Sequence, residues 1–131
     1  ITGTAGNTGT QSLAVAIRKI GLHEEEQSFW KVLVQEGTTG LGIGLISGAV
    51  VFGIVSLWQG SVVLGGIIGF AMFASIFVAA LTGTCIPFAL EKFNFDPSIA
   101  SGPFITTVND LTTVLVYFTI VSQFISVYLA K

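Results

Sequence analysis

Three stretches of the chain run apolar for longer than any soluble helix needs: 37–58, 61–90 and 98–130. Each exceeds the roughly 20 residues required to cross about 30 Å of hydrocarbon. The pattern predicts membrane helices over 32–58, 62–90 and 98–129. A fourth apolar run, Leu13-Ala14-Val15-Ala16-Ile17, ends at Arg18-Lys19-Ile20-Gly21 and is too short to span alone. It follows a small, polar stretch from Ile1 to Ser12, so residues 1–20 read as the end of a membrane helix whose first half lies upstream. The chain opens in mid-pattern and reads as a piece of a longer protein. The expected fold class is all-α, a polytopic membrane helix bundle.

Small residues recur at helical spacing within these runs. Gly40, Gly44 and Gly48 share one face of the first long helix, and Gly65 and Gly69 repeat the interval in the next. Such faces let membrane helices approach closely. Pro87 is expected to free the carbonyl of Gly83 and bend the end of its helix. Asp96-Pro97 supplies an N-cap and a first helical residue for the last helix, with Gly102-Pro103 interrupting it before Asp110. Trp30-Lys31 forms an interfacial anchor. Arg18, Lys19, Lys31 and Lys92 flank the first and third connections, which places those loops in the cytoplasm.

Composition narrows the function. Charged residues make up 9% of the 131, mean hydropathy is +0.87 and net charge is −2. No basic patch exists for nucleic acid. The single Cys85 cannot form an internal disulfide and reads as a buried hydrophobe. The only histidine, His23, lies in a loop without a partner at metal-ligand spacing, so no nucleophile–base pair can be assembled and an enzyme is not expected. Gly3-x-x-Gly6-x-x-Gly9 lacks the lysine and the preceding strand of a phosphate-binding loop. Glu24–Glu26 read as a solvated charge run, and Glu36 as an interfacial charge within reach of Arg18.

Asp110 is the one residue in the wrong solvent. An acid near the middle of a membrane helix costs about 2.5–3.5 kcal/mol on insertion scales, so it normally faces a pore, a cavity or a partner. Thr106 lies one turn before it and Pro103 two turns before, on a similar face. Pro103 donates no hydrogen bond and is expected to leave the carbonyl of Ile99 free. With the Asn7 amide, these groups make an all-oxygen lining suited to a hard cation. One carboxylate only half neutralises a divalent ion, and a two-fold homodimer would bring a second Asp110 to the axis. A hydrated, mostly outer-sphere ion fits such a site, because Mg²⁺ gives up water reluctantly.

These residues resemble a known family. Gly6-Asn7-Thr8-Gly9-Thr10-Gln11-Ser12 followed by Arg18, and Asp96-Pro97 through Ala100-Ser101-Gly102-Pro103-Phe104-Ile105-Thr106-Thr107 to Asp110, look like the MgtE-type magnesium transporters and channels. The resemblance covers nearly the whole chain. It implies a homodimer in the cell membrane, with residues 1–131 forming about four helices of a five-helix pore domain. Mg²⁺, and with it Mn²⁺ or Co²⁺, would be the transported ion. Asp110 matches the family's pore acid, Asn7 its pore asparagine, and Gly3 and Thr106 fall where backbone groups line the same site. Relatives often carry Met-Gly where this chain has Thr4-Ala5. A coupled carrier such as a Na⁺/Mg²⁺ exchanger, and a non-transporting helical assembly, are the rival expectations.

Overall fold

Without water to satisfy them, backbone amides and carbonyls in hydrocarbon must pair within their own segment, and the apolar runs form helices for that reason. The computed structural model describes residues 1–22, 28–100 and 102–130. Its elements are α1 (Thr2–Gly21), α2 (Phe29–Gln59), α3 (Val62–Lys92), a 3₁₀ turn (Pro97–Ile99) and α4 (Gly102–Leu129). The described residues contain no strand. Three helices, α2, α3 and α4, are long and apolar enough to cross a membrane. The His23 and Glu24–Glu26 readings lie outside the described residues.

The helix ends differ from the sequence expectation in informative ways. α1 is regular helix from Thr2 onward, through all its glycines, because packing against α3 and α4 supplies what glycine propensity does not. Phe29 and Trp30 form the first turn of α2, which begins three residues before the expected 32. α4 begins at Gly102, four residues later than 98. Pro97–Ile99 is instead a short turn capped by Asp96, whose carboxylate accepts from the Ser98 N–H at 2.9 Å. Pro103 is therefore the second residue of a helix, where a missing N–H costs nothing, and it interrupts no helix from which Ile99 could project a freed carbonyl.

α2 and α3 form a tight antiparallel hairpin. Gly60 closes α2 in the left-handed conformation at φ 64°, and the Ser61 hydroxyl caps α3 by accepting from Leu64 N–H. The two glycine faces meet each other. A Cβ on Gly48 would lie 2.7 Å from the carbonyl oxygen of Gly69, and one on Gly69 would lie 2.7 Å from that of Gly48. Both faces are thus spent within the chain, and the expected close approach is made here.

On its other side α3 packs against α1 and α4. α1 crosses it where Gly83 meets the backbone of Gly9. Ala5, Met72, Ile76 and Ala79 fill one core cluster, and Leu13, Ala100 and Ile105 another. Arg18 is exposed at the end of α1, whereas Glu36 is buried on α2, and α1 and α2 scarcely touch; no ion pair joins them. Among the described residues of α4 only Ile105, Asn109 and Thr113 are buried, and most of its surface is uncovered.

Candidate functional site

The site is built on the seam between α1 and α4. Their contacts fix an antiparallel register: Gly6 meets Asp110, Gly9 meets Asn109, and Leu13 clusters with Ile105. A Cβ on Gly6 would sit 3.4 Å from Asp110 Oδ1. The absence of a side chain there lets the carboxylate lie directly on the α1 backbone.

Helical periodicity then orders the other residues. Gly3 and Asn7 are four apart on α1, as Thr106 and Asp110 are on α4, so each pair shares a stripe. The register puts Asn7 level with Asp110, Gly3 about one turn to one side and Thr106 about one turn to the other. Both stripes lie on the flank of the seam that faces away from α3. Gly3, Asn7 and Thr106 are exposed on this chain and Asp110 is half-buried. The Thr106 hydroxyl donates to the Gly102 carbonyl at 2.7 Å, which fixes its orientation and leaves its lone pairs outward.

No cationic side chain neutralises Asp110 from within the membrane layer. The chain has no Lys or Arg between Val32 and Leu90, nor between Phe93 and Ala130. Among the described residues, no three of His, Cys, Asp and Glu converge into a metal cage. One carboxylate, one amide, a hydroxyl and nearby backbone carbonyls offer oxygen at a distance, which suits the water shell of a hard ion more than its inner sphere.

One residue of this seam was not foreseen. Asn109 is wholly buried between α1 and α3, and its amide lies over Gly9. A period-four reading of Ile105, Asn109 and Thr113 would have marked the three as one inward face.

A multi-pass α-helical membrane protein with an unpaired carboxylate on an open helix seam is the class these features define. The chain belongs to the MgtE family of divalent cation transporters, whose pattern matches residues 1–120. It is 50% identical over 125 residues to the magnesium transporter MgtE of Enterococcus faecalis, covering 95% of this chain and 28% of that protein. It is 40% identical over 128 residues to MgtE of Bacillus subtilis, covering 95% and 28%. With MgtE of Thermus thermophilus it shares 33% over 119 residues, covering 90% and 26%. The chain thus spans about a quarter of the length of these relatives.

Proposed function

We propose that residues 1–131 form part of the pore domain of a homodimeric Mg²⁺ transporter of the cell membrane, which passes the ion into the cytoplasm through a channel-like path. Asp110 concentrates the cation, and Asn7 with backbone groups at Gly3 and Thr106 holds its water shell. Mn²⁺ and Co²⁺ share the path. The observation that carries the reading is Asp110 itself, a carboxylate on the open flank of the α1–α4 seam, with no Lys or Arg on α4 or between Val32 and Leu90. That the relatives of Enterococcus faecalis and Bacillus subtilis are magnesium transporters supports the choice of ion.

Electrostatics supplies the rest. A cytoplasm-negative potential contributes about 2.3 kcal/mol per unit charge per 100 mV, twice that for a divalent ion, so inward flow needs no nucleotide. A second copy places a second Asp110 beside the ion and balances its charge. The largely uncovered surface of α4 leaves that helix available to line a shared axis. The test is divalent flux into liposomes holding the full-length protein, native against Asp110→Asn. Flux falls by an order of magnitude or more if the carboxylate draws the ion; unchanged flux overturns the reading.

A further inference from the structure

Asn109 precedes the acid by one residue and points away from the open flank. Its side chain is 0% exposed, and neither Oδ1 nor Nδ2 has a hydrogen-bond partner among the described residues. Buried amides are ordinarily paired, so an orphaned one calls for a reason. Its surroundings supply one. A methyl group on Gly9 would fall on the Asn109 Nδ2, 2.7 Å from its Cγ and 3.0 Å from the carbonyl oxygen of Ala79 on α3. The flat amide therefore fills a slot bounded by two other helices. One turn along α1, Gly6 faces Asp110 Oδ1. Two consecutive residues of α4 thus engage two glycines on one side of α1.

This arrangement constrains rotation. Turning α4 about its axis in the sense that swings Asp110 outward, away from α3, presses Asn109 into Gly9; the opposite turn carries it toward the α3 backbone. A branched apolar side chain is thicker than a planar amide and would hold the helices farther apart. We propose that Asn109 is a positioning residue, seated on Gly9 beside the α3 backbone at Ala79, which sets the rotation of α4 and so the place of the Asp110 carboxylate in the seam. The consequence is discrimination between divalent cations. A carboxylate fixed at one distance suits the tightly held water shell of Mg²⁺, and a displaced one shifts the balance toward Mn²⁺, which sheds water more readily. The inference rests on Asp110 facing the passing ion, as proposed above.

The test is a double-mutant cycle in the full-length protein in liposomes, reading the ratio of Mg²⁺ to Mn²⁺ flux. Asn109→Ala and Gly9→Ala are each expected to change that ratio by about threefold or more. The double variant returns toward the native ratio, because removing the amide makes room for the new methyl; the Ala79 carbonyl keeps the recovery incomplete. Ratios that stay native in Asn109→Ala, or effects that simply add in the double variant, overturn the proposal. Should Gly9→Ala fail to reach the membrane, Asn109→Ala and Asn109→Ser decide through the same ratio. Asp110→Asn measured alongside separates the two readings. If it leaves flux intact, the pore assignment fails; if it abolishes flux while the cycle is additive, only the positioning role fails.

Discussion

Gly6 on α1 and Asp110 on α4 are in direct apposition, with Oδ1 3.4 Å from where a Gly6 side chain would begin. That distance is ordinary van der Waals contact, so it grades the substitutions. Gly6→Ala adds a methyl that the carboxylate tolerates with a small rotation, and flux should stay within about twofold of native. Gly6→Val adds two branches against the acid and should reduce Mg²⁺ flux about tenfold or more, at undiminished membrane content. Uptake assays normalised to protein amount distinguish the two.

The Gly48–Gly69 crossing predicts a stability effect independent of the pore. There the obstacle to a Cβ is a backbone carbonyl 2.7 Å away in each direction, which no rotamer change relieves. Gly48→Ala and Gly69→Ala should each destabilise the detergent-solubilised protein by about 1–3 kcal/mol. Gly42→Ala, where nothing lies within 4 Å, should be neutral or stabilise by about 0.5–1 kcal/mol through helix propensity. Thermal melts read the contrast.

The helix hydroxyls predict a sign. Thr8, Thr82, Thr84, Thr106 and Thr112 all donate to the carbonyl four residues back, but Thr113 and Ser75, buried to 1% and 0% exposure, have no partner among the described residues. A buried hydroxyl without a partner carries its desolvation cost uncompensated. Thr113→Val and Ser75→Ala should therefore leave stability unchanged or raise it, by up to about 1–3 kcal/mol. Thr84→Val, which loses a 3.0 Å bond to the Ala80 carbonyl, should cost more than Thr113→Val. A fall in melting temperature for Thr113→Val as large as for Thr84→Val would contradict this.

Asp96 adds a pH dependence outside the membrane layer. The Ser98 backbone N–H, then the Ser98 side chain, hold its carboxyl below the usual value of 3.8. A folded-state pKa that is depressed contributes stability above the unfolded value, lost as pH falls through the folded one. The Pro97–Ile99 turn should therefore be intact above about pH 4 and loosen below it. Asp96→Asn, which also caps but does not titrate, should remove the transition when the turn's amide protons are followed by exchange.

Much of this architecture is written in the chain. Length and hydropathy alone mark α2, α3 and α4, because a bilayer leaves helix as the only open-ended solution. Asp110 stands out because charge in hydrocarbon is costly. Gly102-Pro103 misleads for a physical reason: the pair that breaks a helix in its interior also begins one well, and only the chain's path after the Pro97–Ile99 turn decides between them. Asn109 is hidden by its neighbour. Beside Asp110 it reads as part of one polar step, whereas a helix turns consecutive residues about 100° apart and gives one to the open flank, the other to the core.

Aqueous access along the α1–α4 flank is the remaining consequence, and it can be measured without transport. A thiol reacts as thiolate, which forms in water and is suppressed in hydrocarbon. With the free Cys85 first replaced by Ala, single cysteines can be set at Asn7, which is level with Asp110, and at Leu115, exposed on α4 beyond the seam. Cysteine at position 7 should react with a membrane-impermeant, water-soluble thiol reagent, and Mg²⁺ at millimolar concentration should slow it by occupying the same space. Cysteine at position 115, on a face of α4 turned away from the seam, should react about tenfold more slowly or not at all, with no response to Mg²⁺. Equal, Mg²⁺-insensitive rates at both positions would mean that the flank holding Asp110 is no wetter than the far face of α4. The carboxylate would then have no aqueous ion to meet.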